Sequence, residues 1–312
     1  MSAAPGITLR FWGVRGSIPC PGPNTVIHGG NTACLELRFG PERRLIIVDA
    51  GTGIRELGNE LMRTDLPKGP IRTALFLTHT HWDHIMGFPF FTPVFIPGTE
   101  LKVYGPVTYE DEPLDTIVGG QLTYRYFPVR QDQLAAKLEY ENLKEGVHDL
   151  GGGLVLRTKY LNHPILVLGY RFEYDGKCVC TAYDTEPFRN VFAAEPTDPG
   201  YDAEAVRQGE IAAREENAKI TDFFRGADLL VHDTQYTHKE YVTSRMDWGH
   251  SSYEFAINAA ARARVKKLVL FHHDPLRTDQ ELVRFERIFR DALRGKTPMQ
   301  ICMAREGMTI EV

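Results

Sequence analysis

Apolar positions in the first third of the chain alternate, then run, then recur at helical spacing. Ala33, Leu35 and Leu37 face one way while Cys34, Glu36 and Arg38 face the other, and a short apolar run over 45–48 ends at Asp49. Together these predict paired strands. After the Gly51-Thr52-Gly53 turn, Ile54, Leu57, Leu61 and Met62 predict a helix that closes before Pro67. Further strands are predicted over 74–77, which runs into Thr78-His79, and over 101–104. From 106 to 153 the pattern weakens, with aromatic residues such as Tyr124, Tyr126 and Phe127 among polar ones, and predicts a linker or an elaboration over a site. The second half resumes with strands over 154–160, 166–174, 178–182, 229–232 and 268–271. Helices are predicted over 203–224, 252–264 and 279–294. Runs of strands followed by helices, twice over, predict an α/β (α+β) protein in which two sheets pack together with helices outside. We read 1–312 as a single domain with elaborations near 106–153 and 186–226.

Composition narrows this only slightly. With 312 residues, 43% hydrophobic and 25% charged, disorder is excluded and the core needs no disulfide framework. Cys20, Cys34, Cys178, Cys180 and Cys302 are odd in number without a recurring spacing, which predicts a reducing compartment. The opening residues carry no basic segment followed by an apolar one, and no run of about 18 apolar residues occurs. The expectation is a soluble, cytoplasmic protein with no membrane partner. A net charge of -5 disfavours polyanions in general.

Chemistry concentrates in His79-Thr80-His81-Trp82-Asp83-His84, three imidazoles and a carboxylate just past a predicted strand. In an extended loop His79 and His81 share a side, and a turn into the next helix brings Asp83 and His84 to a neighbouring position. Such a loop can hold two metal ions; imidazole and carboxylate without thiolate suit zinc, manganese or iron(II). Further ligands must come from other strand ends, where His163, Asp184 and His272 stand in Asn162-His163-Pro164, Tyr183-Asp184-Thr185 and after 268–271. Singly each suits a capping or loop role; as a set in one structural context they favour metal. Phe88, Phe90, Phe91, Phe95 and Trp82 flank the loop and are read as packing. His273 points the opposite way from His272 by strand alternation.

The order Asp49, His79 to His84, His163, Asp184, His272 resembles the metallo-β-lactamase superfamily over nearly the whole chain, on the branch of ribonuclease Z and the phosphoribosyl cyclic phosphodiesterases. The resemblance implies a four-layer αββα sandwich with a dinuclear site on one edge. It implies that His79, His81 and His163 bind one metal, that Asp83, His84 and His272 bind the other, and that Asp184 bridges them. The two divalent ions would be zinc first, with manganese or iron(II) as alternatives. His232-Asp233-Thr234 and Gly249-His250-Ser251-Ser252 are similar to the phosphodiesterase end of the family, although ribonuclease Z usually has glutamate in place of Asp233. Ser251 and Glu254 have capping-box spacing, which predicts that His250 sits just before a helix N-terminus, where an anion is favoured.

These residues lead to an enzyme: a dinuclear metal-dependent phosphodiesterase acting on a small or cyclic phosphodiester. Asp83 is expected to orient the attacking water, and His250 to act on the phosphoryl group with Asp233 fixing its tautomer. Hydrolysis of a carboxylic ester, lactone or thioester, and a non-catalytic metal-binding module, are the alternatives. Only about twenty residues separate His163 from Asp184, too few for the long arm of ribonuclease Z, so tRNA is disfavoured as a partner. The charged helix over 203–224 offers a cover over the site or a homodimer contact.

Overall fold

The computed structural model describes residues 6–107, 112–193 and 195–312. Residues 1–5, and positions 108–111 and 194 in the two expected elaborations, lie outside the described residues. Seven strands form the first sheet: β1 (Ile7–Gly13), β2 (Cys34–Phe39), β3 (Arg44–Val48), β4 (Arg72–Phe76), β5 (Glu100–Pro106), β6 (Lys137–Leu143) and β14 (Thr309–Glu311), in the order β14-β1-β2-β3-β4-β5-β6. The second contains β7 (Gly146–Asp149), β8 (Val155–Leu161), β9 (Val167–Tyr174), β10 (Lys177–Ala182), β11 (Leu229–Asp233), β12 (Lys267–Phe271) and β13 (Gln300–Met303), in the order β13-β12-β11-β10-β9-β8-β7.

Three apolar layers hold the sandwich. Phe11, Leu35, Leu37 and Phe76 of the first sheet meet Leu156, Tyr170, Phe172 and Phe271 of the second at the centre. Helix α1 (Ile54–Thr64) covers the outer face of the first sheet through Ile54, Leu57 and Leu61. On the outer face of the second lie three longer helices, 203–223, 253–262 and 279–293, contributing Ile220, Ile257 and Leu282. Helix, sheet, sheet, helix is the αββα arrangement that the resemblance implies.

β1 was not predicted from patterning because the first sheet is covered on both faces. Six of its seven residues are buried, so alternation is erased. β13 and β14 are only four and three residues long, too short for a period to show. The weakly patterned stretch after 106 supplies an edge strand to each sheet, β6 and β7, whose outer sides face solvent and so need few apolar residues. Among the described residues no helix is long and apolar enough to cross a membrane.

Candidate metal centre

The first sheet delivers the histidine loop. Beyond β4, Thr78 donates from its backbone N–H and its hydroxyl to the two oxygens of Asp49 (2.7 and 2.9 Å), at the end of β3. His81 then has extended backbone and Trp82–Ile85 forms a single helical turn, which swings Asp83 and His84 inward. The Ala50 N–H donates to the His84 carbonyl at 2.7 Å, tying this turn to the end of β3. Gly51 permits that approach, since a Cβ there would lie 2.3 Å from the Asp83 carbonyl oxygen.

The second sheet delivers the rest. His163 follows β8, Asp184 follows β10, and His272 follows β12. Asp49, Asp184 and His272 all have positive φ (+62°, +35° and +61°), a strained conformation for residues with side chains. Such strain persists where surrounding structure imposes it, and it gathers at functional sites.

Two donor sets share one carboxylate. His79, His81, His163 and Asp184 form the first, and Asp83, His84, Asp184 and His272 the second; within each, the candidate ligand atoms lie within 4.8 Å of one another. Oδ2 of Asp184 faces His79 Nε2 (3.4 Å) and His163 Nε2 (3.8 Å), while Oδ1 faces His84 Nε2 and His272 Nε2, both at 3.2 Å. The residues therefore fit a pair of cations on three counts. His79 Nε2 and Asp184 Oδ1 are buried without hydrogen-bond partners. Ring nitrogens converge in pairs, His163 on His81 and His84 on His272, each at 3.1 Å. Five imidazoles and two carboxylates without thiolate are also a donor set for a borderline or hard divalent metal.

Electrostatics divides the candidate ligands: the imidazoles of the first set are held neutral, while His84 and His272 of the second are raised by the carboxylates they face. Burial drives His79 well below the ordinary histidine range and His163 down to about 4, keeping both in the neutral form that donates a lone pair. Burial opposes ionisation of Asp184 too, but His272, His84 and His79 outweigh it and hold the carboxyl well below its usual range. His272 is pushed up to about 10, with burial overcome by Asp184, Asp233 and Asp83.

A further layer of contacts fixes the rings, and most of it was not legible in the sequence. His84 Nδ1 meets Asp49 Oδ2 at 2.8 Å, His272 Nδ1 meets Gln235 Nε2 at 3.0 Å, and His163 Nδ1 meets the Gly249 carbonyl at 2.8 Å. The Ser17 N–H donates to Asp83 Oδ2 at 2.7 Å. Of these, Asp49 stood out by its place at a strand end; Gln235, Ser17 and Gly249 carry no ligand-type signature.

His250 lies beside the second donor set, its ring stacked 5.2 Å from that of His272. Its Nδ1 is 3.0 Å from Asp233 Oδ2, which also accepts from the N–H groups of Thr185 and Ser251. The predicted cap is displaced by one residue. Ser252, not Ser251, caps the helix Tyr253–Arg262, because the Ser251 hydroxyl donates to the Thr185 carbonyl and Glu254 reaches the His238 N–H. His273 turns away, with Nε2 3.0 Å from the Ala304 carbonyl. Of the aromatic residues read as packing, Phe88 and Phe91 are fully buried, but Phe90 and Trp82 are 55% and 77% exposed.

The sequence pattern of the metallo-beta-lactamase superfamily matches residues 29–169. A ribonuclease Z of Ignicoccus hospitalis is 29% identical, with 72% of this chain and 77% of the relative covered. A ribonuclease Z of Lactococcus lactis is also 29% identical, over 78% of this chain and 83% of the relative. Among solved structures, the metallo-beta-lactamase fold protein YhfI of Bacillus subtilis superposes with a TM-score of 0.63 at 17% identity, covering 99% of this chain and 100% of that one. Human tRNase Z, short form, gives 0.60 at 17% identity, covering 98% and 99%. At such identities these two superpositions speak for the fold.

Those relatives correct the expectation that tRNA is disfavoured and that the substrate is a small phosphodiester. Curated relatives along most of the chain are named ribonuclease Z, and a tRNase Z shares the fold from end to end. The expectation rested on a missing arm between His163 and Asp184, where the structure has only the hairpin of β9 and β10. It also rested on net charge. An arm can leave from another part of a fold, and a net charge averages over a surface whose local charges are what a polyanion meets. The superfamily pattern over 29–169, the αββα fold, the ribonuclease Z relatives and the shared-carboxylate His/Asp cluster together support the metallo-β-lactamase superfamily, ribonuclease Z-like branch, and a metal-dependent hydrolase.

Proposed function

We propose that the protein is a dinuclear phosphodiesterase that hydrolyses RNA, with zinc as its first metal. The observation that carries this reading is the position of His250 and Asp233: a paired imidazole and carboxylate outside the two sets that share Asp184, with the His250 ring stacked on His272, the three together forming a third group of donor atoms. Hydrolysis of an unactivated diester needs a group that assists the departing alkoxide. The names of the relatives supply the substrate class. A reducing, cytoplasmic setting accords with five free cysteines.

His79, His81 and His163 would hold one ion, Asp83, His84 and His272 the other, and Asp184 both. When bound, such a pair neutralises charge on phosphoryl oxygens and makes water nucleophilic near neutral pH. The chain's own residues do the rest. Asp83, steadied by the Ser17 N–H, accepts a hydrogen bond from the attacking water. Asp233 holds the proton of His250 on Nδ1, which leaves Nε2 for the substrate. Burial works against the charged form of His250, but Asp233 outweighs it and raises its pKa, so the ring carries a proton to give to the leaving oxygen.

The test is a panel of a 3′-extended RNA, bis-p-nitrophenyl phosphate, a p-nitrophenyl carboxylic ester and a lactone, with zinc and with manganese. Cleavage of both phosphodiesters is expected. Turnover confined to the carbonyl compounds would overturn the assignment.

A further inference from the structure

The loop between β11 and the helix Tyr253–Arg262 holds a cation and an indole that the mechanism above does not use. Arg245 closes the π-helical turn Tyr241–Arg245. Its guanidinium lies over the ring of Trp248, 4.5 Å from the centroid, and 5.8 Å from that of Tyr236. Tyr236 in turn packs edge-on to His250, with centroids 6.2 Å apart. Among the described residues the guanidinium of Arg245 donates only two long hydrogen bonds, to the carbonyl and hydroxyl of its neighbour Ser244, at 3.3 and 3.4 Å. Nearby Arg189 and Arg277 differ, for each has a carboxylate partner, Asp247 and Glu240. Among the described residues Arg245 has none. Trp248 is 56% exposed.

This loop is rigidly joined to the donor cluster. Glu186, itself buried, accepts from the N–H groups of Asp247 (3.2 Å) and Gly249 (3.0 Å), on either side of Trp248. The Gly249 carbonyl meets His163 Nδ1. Gly249 has φ +78°, and a Cβ there would stand 2.2 Å from that same nitrogen, so the backbone beside Trp248 touches the ring of a candidate ligand. A guanidinium set over an indole, with no carboxylate partner among the described residues, keeps its N–H fork for a phosphate. An exposed indole next to it offers a face on which a base of any kind can stack.

The geometry points to Arg245 and Trp248 as the subsite for a nucleotide flanking the scissile diester of an RNA, with the guanidinium on its phosphate and the indole on its base. This inference rests on the proposed phosphodiesterase activity. Its test is steady-state cleavage of a twelve-nucleotide RNA by the zinc-loaded protein at several salt concentrations, beside tryptophan emission of metal-depleted protein titrated with the same RNA. Arg245→Ala and Trp248→Ala should each raise KM on the order of tenfold. In Arg245→Ala the dependence of log KM on log salt should also flatten by about 0.7, the share of one single-strand phosphate, and Arg245→Lys should restore that slope. Trp248→Ala should leave the slope in place. Trp248→Phe should recover most of the KM while losing the quench of emission by RNA. Arg287→Ala, on the exposed face of the helix Asp279–Leu293, serves as a control for general loss of positive charge. Wild-type KM, slope and quench in the Arg245 and Trp248 variants of a protein that does cleave RNA would overturn the subsite alone. Failure of the wild-type protein to cleave any phosphodiester would overturn the activity itself and the subsite with it.

Discussion

Asp184 presents one oxygen to each donor set from a backbone held at φ +35°, and no other residue of the cluster faces both ways. Asp184→Ala should therefore remove more than one ligand's share of affinity. Elemental analysis of purified wild-type protein is expected to find close to two ions per chain, and the variant should retain at most one, weakly. Two tightly held ions in the variant would refute the shared role. His250 makes the opposite case. Replacing it with alanine leaves every member of the Asp184 cluster in place, so metal content and melting temperature should stay near wild type. Turnover should nevertheless fall by on the order of 10²-fold, the usual contribution of a positioned general acid. The fall should be steeper for RNA, whose ribose alkoxide needs a proton, than for bis-p-nitrophenyl phosphate, whose leaving group does not; equal losses would move His250 from proton donor to electrostatic support.

At the scale of elements, the sequence exposed what depended on residue type and hid what depended on backbone. The histidine loop and the strand ends at His163, Asp184 and His272 were readable because ligand-type side chains are scarce and their spacing is constrained. Ser17 and Gly249 were not, because each acts through its main chain, and any residue has a main chain to offer. The segment holding Ser17 illustrates this. It is clipped to the helix Asp279–Leu293 by Asp279, whose carboxylate accepts from the N–H groups of Ile27 (2.8 Å) and His28 (3.0 Å) and contacts His28 Nδ1 at 2.8 Å. Burial would raise the Asp279 pKa, but these hydrogen bonds outweigh it and lower the pKa. Burial lowers that of His28, only partly offset by Asp279. Both groups thus bind protons more readily in the unfolded chain. For His28 stability declines as pH drops below its unfolded value of about 6.5, and for Asp279 a further loss begins below about 3.9 and completes through its lower folded value. His28 should therefore contribute a fall in melting temperature between pH 7 and pH 5, read as the difference between wild type and His28→Asn, which should lose less, or gain more, over that window. Parallel slopes in the two proteins would show that His28 does not contribute.

For the molecule as a whole, the candidate ligands come from both sheets. His79, His81, Asp83 and His84 leave the first, and His163, Asp184 and His272 leave the second. Cations between them would add a link across the sandwich, and binding only to the folded state stabilises by mass action, about 4 kcal/mol when free metal is 1,000 times its dissociation constant. Zinc should raise the melting temperature of metal-depleted protein by several degrees, and the rise should largely vanish in Asp184→Ala.

The last strand, β14, leaves the second sheet and pairs antiparallel with β1, so that the Val312 N–H donates to the Ile7 carbonyl at 2.9 Å. Topologically the described chain is thus almost a ring, open at one sheet edge, and it crosses from the first sheet to the second at Lys144–Glu145, where both residues are exposed. A circular permutant that joins Val312 to Gly6 through a few glycines and begins at Glu145 would keep every strand neighbour while reversing the order in which the two sheets are synthesised. Such a protein should fold, bind its metals and turn over at close to the parental rate. Cut into its two halves at the new join, it would also ask whether one sheet with its share of ligands can find the other when zinc is all that is added.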